Sequence, residues 1–254
     1  MVDLPNRVDV LGTGISAAGV DETVDLILHP GQDGLGVAVC NVHGVMSARR
    51  DPSLRVALSA ADIATADGMP LVWALRAIGQ PEQERVDGLT LFWATIKAGL
   101  PEATRHFFYG SRDATLEQIT TRLRRDYPEI AIAGTLSPPF RSLTEHEQSD
   151  HLDVIRRSGA DVVWVGLGVP KQERWIAEAS PHLDGMALVG IGAVFDWVAG
   201  NVAKAPEWMQ RAGLEWLYRL IREPRRLWQR YIWNNPAFLV LLAVQLGRTR
   251  LRRR

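Results

Sequence analysis

The 254-residue chain has one cysteine, Cys40. An internal disulfide is therefore impossible, and a cysteine-rich zinc site is excluded. Long apolar runs are also missing: residues 236–246 (PAFLVLLAVQL) number only 11, against the roughly 18 or more needed to cross a bilayer. The N-terminus, MVDLPNRVDVLG, has no basic stretch leading into a long apolar one, so no secretory signal is expected and a cytoplasmic location follows. His43, His106, His146, His151 and His182 show neither H-x-x-x-H nor H-E-x-x-H spacing, and His29 is a lone loop residue. No Asp-x-Asp pair occurs either, so neither a metal nor a cofactor is expected.

Net charge is also absent, but only as a sum. Residues 1–203 carry 17 Lys+Arg against 26 Asp+Glu, a net of −9, and residues 204–254 carry 12 against 3, a net of +9. Such a split predicts an anionic partner for the C-terminal segment. Trp208, Trp216, Trp228 and Trp233 are interleaved there with Arg211, Arg219, Arg222, Arg225, Arg226 and Arg230. Trp favours the lipid–water interface and Arg is drawn to anionic headgroups, so the segment reads as an interfacial basic helix or pair of helices over about 206–230, with Pro224 at a start or kink. A solvated basic helix packed on the core is the plainer alternative. No nucleic-acid recognition motif accompanies the basic residues, and no nucleic-acid partner is expected.

What is present is an alternation of strands and helices. RVDVL (7–11), LGVAVC (35–40), DIAT, HFFYG, EIAIAGTL, DVVWVG and MALVGIGAVFDW read as strands. Helices are expected from Asp21 to Leu28, from about Val45 to Ala60, and over 70–78, 88–98, 113–126, 144–158 and 171–179. This rhythm predicts an α/β fold, with a Rossmann-like, mostly parallel sheet flanked by helices and a basic helical C-terminal appendage. The expected division is a core over 1–203 and an appendage over 204–254. Ligands of such sheets sit beyond the carboxyl ends of the strands, where Asn41, Asp67, the 166–173 loop and Asp196 fall.

Gly12-Thr13-Gly14-Ile15-Ser16-Ala17 fits G-x-G-x-x-A, which would suggest a nicotinamide oxidoreductase. The acid expected after the second strand is missing, since that strand ends in Cys40-Asn41. A glycine turn between two strands is the better reading. Asp67-Gly68, locally, reads as a turn aspartate capping the next helix; a general base at a strand's carboxyl end is the functional alternative. Arg85 has the planar fork suited to a pyrophosphate. Gly166-Leu167-Gly168-Val169-Pro170-Lys171-Gln172-Glu173 is either an ordinary strand-to-helix turn or a phosphate-accepting loop, with Lys171 and Gln172 adding donors.

Taken in order, CNVHGVM (40–46), ADIATADGMPLVWALRAIG (61–79), ERVDGL (84–89), FFYG (107–110), GLGVPKQERW (166–175), GIGAVFDWVAG (190–200), KAPEWMQRAGLEWLYRL (204–220) and EPRRLWQRY (223–231) resemble the WecG/TagA/CpsF glycosyltransferases of bacterial surface-polymer synthesis. The resemblance runs from about residue 7 to about 235. It implies a metal-independent, inverting transfer of a sugar from a UDP-sugar donor, often N-acetylmannosamine or its uronic acid, to a polyprenyl-diphosphate-linked acceptor at the inner membrane face. It also implies a catalytic base at Asp67, an active-site asparagine at Asn41, an arginine of the same pocket at Arg85, a loop glutamine at Gln172 and diphosphate-binding arginines at Arg219, Arg226 and Arg230. Val39 stands where family members often have threonine, and Lys204 where many have arginine. A non-catalytic membrane adaptor of a polysaccharide assembly complex is the reading from another class.

Overall fold

Six short segments rich in β-branched and aromatic residues pair side by side because both of their faces are apolar. Such strands suit a parallel sheet covered by helices on both sides. In the computed structural model, residues 3–202, 205–206, 208–209, 215–222 and 224–252 are described, with side chains described over the same spans except at 215, 219, 224–232 and 249–252. The strands are β3 (Leu35–Cys40), β4 (Ile63–Ala66), β5 (Arg105–Gly110), β6 (Ala131–Leu136), β7 (Val162–Gly166) and β8 (Ala187–Gly190), in spatial order β4-β3-β8-β7-β5-β6, all parallel. This is the α/β arrangement that the alternation predicts.

A separate antiparallel hairpin, β1 (Arg7–Val10) and β2 (Thr13–Ser16), precedes the sheet. β2 is a strand that sequence reasoning missed. Leu11 and Gly12 close the hairpin with φ of 54° and 87°, the two-residue turn that matches strand twist. The G-x-G-x-x-A segment is thus a hairpin turn and its second strand, and no helix begins there as a dinucleotide fingerprint requires. Ser16 Oγ accepts from the Ala64 N–H at 3.0 Å, and the Arg7 guanidinium donates to the carbonyls of Gly14, Leu58 and Ala61. The hairpin is thereby fastened to β4 and to the end of the helix before it.

The helices are α1 (Val20–Leu28), α2 (Val42–Ala48), α3 (Pro52–Ala60), α4 (Met69–Ile78), α5 (Gly88–Gly99), α6 (Asp113–Asp126), α7 (Glu145–Ser158), α8 (Lys171–Ala179), α9 (Val194–Val198), α10 (Glu215–Arg222) and α11 (Pro224–Arg252). Two expectations need correction. The single helix expected from Val45 to Ala60 is two, because Asp51 caps a new one through the N–H groups of Ser53 and Leu54 and Pro52 occupies its first position. The last strand stops at Gly190, and the end of the expected strand, from Val194 on, belongs to a helix over Val194–Val198. Asp196 accordingly lies in α9 and not at a strand end.

Alternate residues of each strand feed opposite faces. Val37, Phe108, Trp164 and Val189 face α1, α5, α6 and α9. On the other side Tyr109, Val165 and Leu188 meet α7 and α8, while Ala38 and Ala64 meet the hairpin, α2, α3, α4 and α11. Residues assigned to the appendage take part, since Phe238 and Leu242 of α11 are buried there. No helix among the described residues is long and apolar enough to cross a membrane.

His106 is buried beside Trp164, whose Nε1–H donates to His106 Nδ1 at 3.3 Å. Burial lowers the His106 pKa to about 4, with Asp161 opposing. Protonation would also destroy the acceptor. Between about pH 6.5, the unfolded value, and about 4 the unfolded chain binds more protons, so stability must fall as pH drops through that window and level off below it. The loss should reach on the order of 3 kcal/mol. Urea midpoints measured from pH 7 to 4 should show this slope, and His106→Gln should flatten it; an unchanged slope in that variant would refute the assignment.

Candidate active site

The carboxyl ends of β3, β4, β7 and β8 form one edge, and the sequence changes character there from apolar to polar. β3 and β8 are neighbours, but the chain leaves them in opposite directions across the sheet, which opens a crevice at the switch point. Parallel register aligns Cys40 with Ala66. Asn41 and Asp67 are therefore the next residues out on adjacent strands, and the Asp67 N–H donates to the Cys40 carbonyl at 2.8 Å.

Asn41 caps α2, its Oδ1 accepting from the Gly44 N–H at 3.2 Å. Gly68, at φ 97°, turns the chain sharply into α4 directly after Asp67. A residue with a Cβ would strain that turn. The local reading of Asp67 as the cap residue of α4 does not hold. Gly68 is the cap residue, and Asp67 stands one position before it.

Arg85 arrives by a route that sequence reasoning missed. The Val86 N–H donates to the Ala66 carbonyl at 3.1 Å, and Thr65 Oγ1 donates to the Val86 carbonyl at 3.0 Å. The 84–87 segment thus runs beside the end of β4. Val86 is fully buried in the core, and its two neighbours project together to the other side, as residues two apart do in extended chain. Arg85 Nη2 stands 3.5 Å from Asp67 Oδ1 and 3.7 Å from Asp87 Oδ2. Asp67 remains 24% exposed. Gln83 and Glu84 pin the segment from behind: Gln83 Nε2 donates to the Ala18 carbonyl, and the Glu84 carboxylate accepts from the Val20 N–H at the start of α1.

Asp87, beside Arg85, was not singled out in the sequence. It caps α5 by accepting from Leu89 N–H, Thr90 N–H and the Thr90 hydroxyl, and its second oxygen faces Arg85. The only signal for it was its place in ERVDGL.

The 166–170 loop leads into α8. Lys171 is exposed at the first position of that helix. Gln172, expected as a donor of this loop, is 2% exposed. Its Oε1 accepts from the Gly168 N–H at 3.2 Å and its Nε2 donates to Glu173 Oε1 at 3.0 Å. A Cβ at Gly190 or Gly192 would stand 3.3 or 3.2 Å from the Gln172 amide, so the glutamine braces the β8–α9 turn as well. Val39, at the position where threonine is frequent, points into the core.

Cys40 lies beneath the edge. Burial first, and then the fields of Glu173 and Asp67, push its thiol pKa upward, so it is inert as a nucleophile. Arg174, on the same helical turn as Glu173, pairs with Asp51. Farther along the edge, Phe140 is 76% exposed, with the Arg112 guanidinium 5.8 Å from its ring centre.

The structure brings Asn41, Asp67, Arg85 and the Gln172 loop to one edge. Arg219 lies on α10, and Arg226 and Arg230 on α11, but their side chains are outside the described residues, as is Lys204. Among the described residues no group of three or more His, Cys, Asp or Glu could hold a metal ion.

Residues 8–253 match the family described as the glycosyl transferase WecG/TagA/CpsF family. Over 199 residues, 78% of this chain and 75% of the relative, the sequence is 33% identical to the N-acetylglucosaminyldiphosphoundecaprenol N-acetyl-beta-D-mannosaminyltransferase of Bacillus spizizenii. It is 30% identical, over the same shares, to the protein of that name from Bacillus subtilis.

The double use of Asp87 yields a separable outcome. Asp87→Ala should lower stability by about 1–2 kcal/mol through the lost cap, whereas Asp87→Asn, which can still cap, should lose less than half of that. Denaturant midpoints of the two variants decide it; equal losses would place the contribution in the charge facing Arg85.

Proposed function

Since this chain belongs to the WecG/TagA/CpsF glycosyltransferase family, we propose that it moves a hexose, of the N-acetylmannosamine type or its uronic acid, from a UDP-sugar to a polyprenyl-diphosphate-linked saccharide. The names of the two Bacillus relatives favour an N-acetylglucosaminyl-diphosphate lipid as acceptor. The observation that carries the reading is the Asp67 carboxylate at the mouth of β4, partly open to solvent, with Arg85 3.5 Å away and Asn41 on the adjoining strand.

The proposed step is a direct, inverting displacement without a metal ion. Asp67 takes the proton from the acceptor hydroxyl as its oxygen bonds to the anomeric carbon. The bond to UDP breaks on the opposite side, and the electron pair leaves on the diphosphate. Positive groups offset that charge as it develops: Arg85, Lys171, and Arg219, Arg226 and Arg230 of the appendage. Asn41 orients the sugar. Gln172, being buried, shapes the loop beneath it. Phe140 offers a flat face on which a base can stack.

The appendage, residues 204–254, is proposed to dock on an anionic membrane at its cytoplasmic face. Support comes from α11, which has two apolar sides. Phe238 and Leu242 face the core, whereas Trp233, Leu239, Val240 and Val244 are 46–68% exposed. An apolar stripe of this kind, with Arg248 beyond it and a net charge of +9 in the sequence over 204–254, matches a lipid surface in both apolarity and charge.

Two experiments test these assignments. In EDTA, with UDP-N-acetylmannosamine and a short-chain N-acetylglucosaminyl-diphosphate lipid, the enzyme should release UDP, and Asp67→Asn should slow transfer by at least about 100-fold while binding UDP as before. Wild-type turnover in Asp67→Asn would sink the role of the base. In flotation with phosphatidylglycerol-containing vesicles, Trp233→Ser combined with Val240→Ser should weaken binding about tenfold or more; unchanged flotation would remove α11 from the membrane contact.

A further inference from the structure

Glu173 is a buried acid for which the reaction above has no use. It stands in the first turn of α8 and is 4% exposed. Its Oε1 accepts from Gln172 Nε2 at 3.0 Å, while its Oε2 is buried without a hydrogen-bond partner. Buried acceptors are almost always matched, and one left unmatched calls for a reason. Leucine or methionine would fill the same place without desolvating a carboxyl. Burial raises the Glu173 pKa, opposed by its own backbone N–H, Gln172 and Arg174.

The reason lies in what the other oxygen does. The Gln172 amide has two ends that differ only in donor and acceptor character. Its Oε1 meets the Gly168 N–H, and its Nε2 meets the carboxyl. If the amide flipped, Nε2 would face the Gly168 N–H, donor against donor, and Oε1 would face Glu173 Oε1, acceptor against acceptor. Gly190 and Gly192 lie against the same amide, where an added Cβ would crowd it at 3.3 and 3.2 Å. One planar group therefore joins the 166–170 loop to the β8–α9 turn, and Glu173 sets which way it points.

We propose that Glu173 is a positioning residue of the transfer site: it orients the Gln172 amide, and through it holds the 166–170 loop and the Gly190–Gly192 turn in the arrangement that meets the leaving diphosphate. This rests on the glycosyl-transfer reading. A neutral amide at position 173 can serve as well as the acid, because its carbonyl can accept from Gln172 Nε2. An apolar residue cannot. Misplacement of the loop by about an ångström should act on the transition state more than on ground-state binding.

The test uses the full-length chain with Glu173→Gln, Glu173→Met, Gln172→Leu and the Gln172→Leu/Glu173→Met pair. Transfer, UDP binding and the proton exchange of the Gln172 side-chain amide are followed together. Glu173→Gln should keep kcat within about threefold and Gln172 protected from exchange. Glu173→Met should lower kcat about 30- to 100-fold, leave the KM for donor and the affinity for UDP within about threefold, and release the amide to exchange. The pair should be no slower than its slower member, since both changes break one link.

Normal kcat in folded Glu173→Met, or multiplying losses in the pair, would overturn the proposal. Should Glu173→Met not fold, Glu173→Gln decides alone: a folded protein more than about 30-fold slower would show that the carbonyl acceptor is insufficient. Absence of transfer in the wild type would defeat the glycosyltransferase reading instead. The exchange measurement would still report whether Glu173 holds Gln172.

Discussion

The hydrogen bond from the Asp67 N–H to the Cys40 carbonyl carries the β3–β4 ladder one residue beyond both strands. It makes the first polar residues after two buried strands lie beside each other. Both strands are buried throughout, so their register is held by the apolar residues on the two faces, and a slip by one residue would exchange those faces along the whole strand. Asn41 and Asp67 inherit that precision without adding to it. Arg85 inherits it too, because the Ala66 carbonyl, the last acceptor of β4, is taken by the Val86 N–H. A charged cluster is therefore placed by backbone bonds and by Val86 in the core. The ionic contacts themselves, at 3.5 and 3.7 Å, are looser than close ion pairs.

The same logic separates what could be read in the sequence from what could not. Strand and helix alternation was legible because the period changes from element to element, and α6 and α8 fall where the pattern places them. That Asn41 and Asp67 would share an edge followed from both closing a strand. Arg85 could be suspected only from its neighbours in ERVDGL. Its position depends on Val86 docking alongside β4, a pairing between segments that no local period reports. The burial of Gln172 was not legible for a related reason: it lies against two glycines of another strand end. β2 was missed because TGIS is only four residues with a small polar start, and Asp196 was misplaced because an apolar run across Gly190 and Gly192 cannot by itself show where strand gives way to helix.

The charge split of the chain gains a physical meaning from α11. A basic segment on an acidic core could simply fold back onto it and neutralise itself. The described part of α11 does not hold on by charge in the main. It is fixed by Phe238 and Leu242 in the core, by Gln245 bonded to Asp9 and to the Leu11 N–H, and by Asn234. Among the described residues, apolar and neutral polar groups do the holding.

Asn234 connects this helix with the chemistry. It is 4% exposed, accepts from Arg50 Nη2 at 3.0 Å, and lies 3.1 Å from His43 Nδ1 through its amide nitrogen. His43 and Arg50 belong to α2 and the turn after it, and α2 is the helix that Asn41 caps. The exposed apolar stripe of α11 and the helix that Asn41 caps are thus joined by a part-buried polar contact. On the proposed reading, the acceptor reaches Asp67 with its diphosphate and polyprenyl chain still in the membrane. A site whose framing helix is bound to the membrane-facing helix keeps a constant height above the lipid, so the length of the acceptor headgroup, and not only its chemistry, would enter into which hydroxyl reaches the base.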